Sequence, residues 1–137
     1  MRLALVACSG KKLDGERPAQ DMYISPLFRK ARAWAENNAD AWRILSAFHN
    51  LLEPSTVIGT YDRTLSKMRT AEREFYYNLV FQSVRRLVAT GDTVVMLCGR
   101  LYHEDVTWRL RRQGITVETP LEGLGIGQQM AWLAVRP

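Results

Sequence analysis

The stretch RLALVACSGKK, residues 2–12, decides the fold of this chain. Its first part, residues 2–7, is a short and mostly apolar run, which is typical of a strand buried on both faces of a parallel sheet. The run gives way at once to a thiol, a hydroxyl, a glycine and two lysines. Open α/β sheets bind ligands beyond the carboxyl ends of their strands, so the stretch predicts a ligand site directly after the first strand.

Three later segments also look like short strands: Trp42–Ser46, Thr93–Cys98 and Ile115–Thr119. The segments between them are long enough for helices, and alternating strands and helices favour right-handed crossovers and a mainly parallel sheet. We therefore expect one Rossmann-like or flavodoxin-like α/β domain over residues 1–137, with four or five mainly parallel strands flanked by helices. Numbered along the chain, the strands are expected in the spatial order 2-1-3-4.

Four segments carry helix signals. Pro26 suits a first helical turn, and the segment from Thr70 resembles an N-cap with acidic residues in the first turn. Glycines follow the second and third segments, as they often follow helices. The predicted helices cover residues 25–37, 70–91, 101–113 and 127–135.

Composition limits the classes of protein to which the chain can belong. Its 137 residues suit a single domain, and no apolar run approaches the roughly 18 residues that span a bilayer. The N-terminal apolar run is too short, and too soon followed by lysines, for a signal peptide, so we expect a cytoplasmic protein with no membrane partner. The two cysteines suit a reducing compartment, and without clustered histidines or acids we expect neither a metal nor a cofactor.

The net charge of +5 comes from 19 basic and 14 acidic residues. Many of the basic residues are grouped on predicted helices, at 29–32, 85–86 and 109–112. Such groups either form solvated outer faces or bind a phosphate-bearing partner, a nucleotide or a nucleic acid. The tryptophans Trp34, Trp42, Trp108 and Trp132 are expected to pack in the core or an interface rather than to stack on bases.

Cys98-Gly99-Arg100 ends the third predicted strand much as Cys8-Ser9-Gly10 ends the first. In the order 2-1-3-4 the two strand ends are neighbours and flank the switch point of the sheet, so both loops should line one crevice. Glycines there let backbone N–H groups approach a ligand, and Arg100 offers a planar donor fork for phosphate.

Either cysteine can be a small buried apolar residue or a nucleophile. Cys8 has the better case as a nucleophile, because nearby Lys11 or Lys12 would favour its thiolate form.

The segment Glu122–Gln129 carries glycines at alternate positions before a helical run, including Gly125 and Gly127. Backbone amides in such a segment can cradle an anion at the start of a helix. Alternatively the glycines form a tight turn that lets the last helix pack closely.

A further group of polar residues follows the second strand. Ser46 should place its hydroxyl on the same sheet edge as Cys8, and Asn50 tolerates a positive φ. Tyr61-Asp62 lies on a loop expected to fold back over that edge. Asp62 either contacts a ligand there or caps a turn.

The segments Ala7–Leu13, Asp21–Phe28, Leu51–Pro54 and Gly123–Gln129, with Ser46 and Tyr61-Asp62, resemble a family of small uncharacterised bacterial and phage proteins. The resemblance covers nearly the whole chain and includes a Cys-Ser-x-Lys-Lys motif.

The same skeleton more faintly resembles the core domain of archaeosine synthase, a relative of tRNA-guanine transglycosylases. The matching residues are Cys8-Ser9 with Lys11 or Lys12, Ser46 to Pro54, and Tyr61-Asp62. The archaeosine enzymes carry a proline where this chain has Ala7, and they carry a Ser-x-Ser-His segment that this chain lacks. The resemblance implies a nucleobase-related site at this edge but transfers no reaction.

Three functions follow as hypotheses, with the oligomeric state left open. The first is an enzyme acting on a nucleobase, nucleotide or nucleic-acid base, by base modification or N-glycosidic-bond chemistry. The backbone amides of Gly10 and Gly99 would hold a phosphate together with Lys11 and Arg100. Ser46 and Asp62 would position the sugar or base. Cys8 would be the nucleophile or a substrate contact, and Asp62 would also supply a carboxylate. The second is a non-catalytic nucleotide or nucleic-acid binding module that uses the same pocket. A thiol redox role for Cys8 and Cys98 is a third possibility.

Overall fold

The strand that opens the chain lies at the centre of a five-stranded sheet. The structure is a computed structural model and describes residues 1–8 and 11–135. The strands are β1 (Arg2–Ala7), β2 (Arg17–Pro18), β3 (Ala41–Ser46), β4 (Asn50–Leu52), β5 (Val57–Ile58), β6 (Thr93–Leu97) and β7 (Thr116–Glu118). The helices are α1 (Ala19–Met22), α2 (Pro26–Asn38), α3 (Thr70–Arg85), α4 (Arg100–Arg112) and α5 (Ile126–Val135), with a short 3₁₀ turn at Leu65–Lys67.

The main sheet has the order β4-β3-β1-β6-β7, and β2 pairs with β5 in a separate ribbon. Strands β3, β1, β6 and β7 are parallel, so the expected order of the four predicted strands and the α/β fold class are confirmed. The outer strand β4 runs antiparallel to β3. None of the helices in the described residues is long and apolar enough to span a membrane.

Strand β4 lies outside the four segments that the sequence predicted as strands. Asn50 adopts a φ of 66°, which lets the chain reverse tightly after β3. Leu51 and Leu52 then pair with Leu45 and Ile44 across the edge of the sheet. A strand of three residues is too short to show an alternating pattern, which is why the sequence did not reveal it.

Helices cover both faces of the sheet because the central strands are apolar on both faces. Ala4, Val6 and Cys8 face α2 and α5, and we call the buried residues on this face the α2-side core. Leu3 and Leu5 face α3 and α4, and the buried residues there form the α3-side core. Each fully buried leucine contributes roughly 1.5–3 kcal/mol of transfer free energy, so β1 is an important source of stability.

The helix ends show where local signals were accurate. At the start of α2, the Ser25 hydroxyl accepts a hydrogen bond from the Phe28 N–H at 3.2 Å, with Pro26 in the first turn as predicted. The assignment of Thr70 as an N-cap is wrong, since Arg69 occupies the cap and its N–H donates to the Glu72 carboxylate at 3.1 Å. The regular part of α3 ends at Arg85 rather than continuing to Gly91.

The tryptophans divide between the interior and the surface. Trp34 is 6% exposed in the α2-side core, and Trp42 and Trp132 are half-buried beside it. Trp108 is 61% exposed on α4, so it does not pack in the core, and a position in an interface stays a prediction. It faces outward because the inward positions of α4 are taken by Val106 and Leu110.

Candidate functional site

A cavity of about 240 Å³ lies at the ends of β1 and β6. From β1 the chain crosses to β3 through α2, and from β6 it crosses to β7 through α4 on the other face, so this is the switch point of the sheet. The first turns of α2, α4 and α5 complete the walls. The lining residues are Val6, Ala7, Cys8, Leu27, Phe28, Ala31, Leu97, Cys98, Gly99, Tyr102, Ile126 and Gln129.

Cys8 is held at this cavity by the sheet itself. Its N–H donates to the Leu45 carbonyl at 2.9 Å, which extends the β1–β3 pairing by one residue. The thiol is 6% exposed, and its Sγ lies 3.8 Å from the hydroxyl of Tyr102. Tyr102 is placed there by the first turn of α4, where its N–H donates to the Gly99 carbonyl at 3.1 Å. The structure therefore brings Cys8 and the Cys98-Gly99 loop into one crevice.

Cys98 lines the same crevice but belongs to the other core. It packs on the α3 side, whereas Cys8 packs on the α2 side. The β1–β6 register pairs Val6 with Leu97, so Cys98 is offset by one residue from Cys8. The two cysteine side chains therefore lie on opposite faces of the sheet. Both are free thiols, and burial raises the pKa of Cys98 well above its usual value. This arrangement does not favour a disulfide between them.

A chain of hydroxyl groups lies beside Cys8. Ser46, fully buried at the end of β3, donates from Oγ to the hydroxyl of Tyr61 at 2.8 Å. Tyr61 and Tyr23 share a hydrogen bond of 2.6 Å between their hydroxyls. The Ser46 oxygen also accepts from the backbone N–H groups of Phe48 and His49, at 3.3 and 3.0 Å. The loop that carries Tyr61 therefore folds back over the sheet edge and is tied to it.

Burial keeps these phenols protonated. Burial raises the pKa of Tyr23 to about 12. It raises the pKa values of Tyr61, Tyr76 and Tyr102 further, and the neighbouring Cys8 is the second-largest cause of these three shifts. Each side chain is therefore a neutral hydrogen-bond donor near pH 7.

Sequence reasoning named Tyr61 but missed the other three phenols around Cys8. They lie on unrelated elements, without a shared spacing. The one signal available was the position of Tyr102, one helical turn after Cys98.

Lys12 places a positive charge over the hydroxyl chain. Its ammonium nitrogen lies 4.6 Å from the ring centroid of Tyr61 and 5.9 Å from that of Tyr23. The backbone of Lys12 also forms an antiparallel β-bridge with that of Tyr23, so both the backbone and the ammonium group of the lysine contact this region. Lys11 is exposed, and the predicted site residues Ser9 and Gly10 lie outside the described residues.

An exposed aromatic group borders the same edge. Phe48, 56% exposed, stacks on Tyr61 with ring centroids 5.5 Å apart and planes tilted by 25°. His49 stands edge-on to both rings, and burial lowers the pKa of this histidine. A flat ring with one open side lies next to the candidate site.

Asp62 and Arg100 lie away from the Cys8 cavity. Asp62 is exposed and lines a separate hollow of about 180 Å³ with Arg63 and Lys67. Arg100 is exposed, and its guanidinium lies 2.6 Å from the Glu104 carboxylate on α4. The partner carboxylate offsets the charge that Arg100 would offer to a phosphate.

The glycine segment reaches the cavity through its helix rather than through its glycines. The Gly125 N–H donates to the side-chain oxygen of Gln128 at 3.0 Å, so this amide already has a partner. Gly127 lies in the exposed first turn of α5. From the same turn, Ile126 and Gln129 line the cavity. The tight-turn interpretation of Gly125 fits these contacts.

No group of three or more His, Cys, Asp or Glu residues that could hold a metal ion occurs within residues 1–8 and 11–135. Among the described residues, the groups that line the cavity and can react or hydrogen-bond through their side chains are two thiols, the neutral phenol of Tyr102 and the Gln129 amide.

Comparison with known proteins shows similarity to a family model and to a protein of Bacillus subtilis. The chain is 29% identical over 127 residues to the uncharacterized protein YfjM of Bacillus subtilis (strain 168), an alignment that covers 80% of this chain and 83% of that protein. A family model described as "Family of unknown function (DUF6884)" matches residues 3–135. The expected membership of an uncharacterised family is confirmed, while the resemblance to archaeosine synthase stays a prediction. The chain belongs to the DUF6884 family.

Proposed function

We propose that this protein is an enzyme acting on a nucleobase, nucleotide or nucleic-acid base, with Cys8 as its nucleophile. The observation that carries the proposal is the thiol of Cys8 in a cavity at the switch point of the sheet, 3.8 Å from the hydroxyl of Tyr102. Parallel sheets bind ligands at this place, and a positioned cysteine is among the strongest nucleophiles that a protein can offer.

The walls of the cavity suit a flat heterocycle. Leu27, Phe28 and Ile126 supply apolar surface, whereas the polar groups are few and include the Gln129 amide. A nucleobase has apolar faces and an edge of donors and acceptors. The Gln129 amide nitrogen donates one hydrogen bond to the Leu124 carbonyl at 2.9 Å, which orients the side chain and leaves a second N–H and the amide oxygen for such an edge. The faint resemblance to archaeosine synthase implies the same class of ligand.

The arrangement favours base modification over cleavage of an N-glycosidic bond. Cys8, after losing its proton to solvent, would attack an electron-poor ring carbon and form a C–S bond. The displaced electron pair would move to a ring nitrogen or exocyclic oxygen, which takes a proton from water, and Tyr102 would donate a hydrogen bond to that atom. An exocyclic amino group on the attacked carbon would then leave as ammonia with a proton from water, and the ring C=N bond would re-form. A second water would add to the same carbon and break the C–S bond, which releases the thiolate and leaves a carbonyl oxygen in place of the amino group. A glycosidic reaction needs a carboxylate, and Asp62 lies in a separate hollow, so its substrate would have to extend there.

A binding module is the second candidate. The described residues that line the cavity include no carboxylate, and burial keeps the phenol of Tyr102 protonated. Such a site holds a ligand without moving protons near pH 7, which suits a sensor of a nucleotide.

The test is a thermal-shift screen of wild-type protein against nucleobases, nucleosides, nucleotides and short oligonucleotides, followed by incubation with each hit and chromatography of the products. A ligand at 100 times its Kd stabilises the folded state by about 2.7 kcal/mol. We expect product from the wild type and none from Cys8→Ala or Cys8→Ser. Ser55→Ala, at an exposed turn, is the matched control. Turnover that survives both cysteine variants contradicts the proposal, and binding without turnover by the wild type favours the sensor.

A further inference from the structure

The outer face of α4 presents an exposed aromatic ring beside arginines. Trp108 is 61% exposed, and the guanidinium carbon of Arg112 lies 4.7 Å from its ring centroid. Arg111 is exposed one position earlier, with one nitrogen donating to the Val117 carbonyl at 2.9 Å. An exposed indole with an arginine against its ring offers a flat surface with a polar handle, which suits contact with a ligand.

Trp108 forms one wall of a cavity of about 360 Å³ between α4 and the segment after β7. The other walls include Arg111, Arg112, Thr119 and Glu122. None of the residues lining this cavity lines the Cys8 cavity. The cavity at Trp108 is therefore separate from the proposed Cys8 site.

A buried histidine in this cavity has one ring nitrogen without a hydrogen-bond partner among the described residues. His103 is 2% exposed, and its Nδ1 lies 3.1 Å from the Thr107 hydroxyl, while its Nε2 has no hydrogen-bond partner among the described residues. Burial lowers the pKa of His103, so the ring is neutral near pH 7. Buried ring nitrogens are normally hydrogen-bonded, and this one borders a cavity, so a ligand can supply the missing bond.

The charges around the cavity determine which ligand fits. Glu104 and Glu122 line it together with Arg111 and Arg112, so a ligand inside meets groups of both charges and a neutral imidazole. Both carboxylates and the imidazole suit the edge of a nucleobase, which carries N–H donors and nitrogen acceptors. Arg111 and Arg112 suit phosphates at the rim.

A second hollow, of about 520 Å³, lies on the other side of Trp108 and is lined in part by Tyr77, Leu101 and Asp105. A free mononucleotide would fill one of the two hollows, whereas a strand can cross the indole and use both. We propose that the face of α4 around Trp108 binds single-stranded nucleic acid, with one base stacked on Trp108 beside His103 and the backbone phosphates on Arg111 and Arg112. Stacking on an exposed aromatic ring together with arginine contacts is how proteins hold single strands.

The test is fluorescence anisotropy with labelled 12-nucleotide single strands of RNA and DNA, titrated with the whole protein at several salt concentrations. Trp108→Ala should weaken binding by about 5- to 150-fold, the range expected for loss of one stacked base, whereas Trp108→Phe should keep most of the affinity. Arg112→Ala should lower the slope of log affinity against log salt by about one. The matched controls are Phe75→Ala and Arg29→Ala, which remove an exposed aromatic ring and an exposed arginine from other helices.

Each outcome decides the proposal without reference to the activity of Cys8. Selective loss of affinity in the α4 variants supports it. Equal losses in Trp108→Ala and Phe75→Ala, or no binding at low salt, overturn it. Competition by a mononucleotide at the same concentration as the 12-mer overturns the assignment to a strand and identifies a free nucleotide as the ligand. Circular dichroism of each variant shows whether the helices remain folded.

Discussion

Two clusters of buried polar groups, one on each face of the sheet, differ in their hydrogen bonding. On the α2 side, Ser46, Tyr61 and Tyr23 form a connected chain in which every hydroxyl has a partner. On the α3 side, the Tyr76 hydroxyl and the Nε2 of His103 are buried with no partner among the described residues. Each face also has an exception: on the α3 side the Tyr77 hydroxyl donates to the Leu101 carbonyl, and on the α2 side the Trp34 indole N–H has no partner among the described residues. Paired polar groups fix a local structure, whereas unpaired ones cost free energy that only a ligand or water can recover. The hydroxyl chain therefore positions the Cys8 edge, while the unpaired groups mark places where the interior is incomplete.

The largest expected effect comes from breaking the chain at Ser46. Ser46→Ala removes a donor to Tyr61 and the oxygen that accepts from two backbone N–H groups, which remain in a partly buried turn. We expect the free energy of unfolding to fall by about 2–3 kcal/mol, measured by urea denaturation. The control is Ser83→Ala, whose hydroxyl bonds only to a carbonyl on its own helix. Equal losses in the two variants would show that the chain contributes little.

A smaller effect is expected from Tyr61→Phe. The substitution removes one hydroxyl and leaves the Ser46 and Tyr23 oxygens without their shared partner, while the Tyr61 ring still packs against Phe48. We expect a loss of about 1–2 kcal/mol in urea denaturation, with an unchanged denaturant slope. A neutral result would mean that water replaces the missing hydroxyl, and the paired description of this face would then be wrong.

Tyr76→Phe makes the same chemical change on the opposite face. Because the Tyr76 hydroxyl has no partner, its removal takes away a desolvation cost and breaks no bond between described residues. We expect no loss of stability and a gain of up to about 1 kcal/mol. A loss similar to that of Tyr61→Phe would show that a water or ligand pairs with the Tyr76 hydroxyl in solution.

The sequence predicted the sheet far better than it predicted these polar contacts. Apolar runs such as residues 2–7 report burial directly, so the four parallel strands and their order could be inferred. The crevice between Cys8 and Cys98 followed from topology alone. Which face each thiol takes depends on register, and a one-residue shift reverses it. That is why two similar strand ends in the sequence have different surroundings in the structure.

The site residues that were missed share a physical cause. Tyr102 and Tyr76 reach the Cys8 region from different helices, and no sequence spacing connects them. Trp108 was expected in the core or in an interface, and the pattern of α4 leaves it on the outer face. Asp62 follows Tyr61 directly and still lies in another hollow, since neighbouring side chains in an extended loop point in different directions.

The smallest expected effect is a pH dependence that originates at His103. Burial lowers the pKa of His103 below its usual 6.5, so between the folded and unfolded pKa values the unfolded chain binds more protons. Stability is therefore complete above pH 6.5, falls as the pH drops below that value, and levels off once the pH is below the folded pKa. The measurement is urea denaturation between pH 5 and 8. His103→Asn keeps a hydrogen-bonding group near Thr107 and should flatten the dependence of stability on pH. Burial also lowers the pKa of His49, so His49→Asn should remove only the part of the pH dependence that this more exposed ring contributes. An unchanged slope in His103→Asn would mean that the unpaired Nε2 already has a partner in solution, and the contrast between the two faces would then rest on Tyr76 alone.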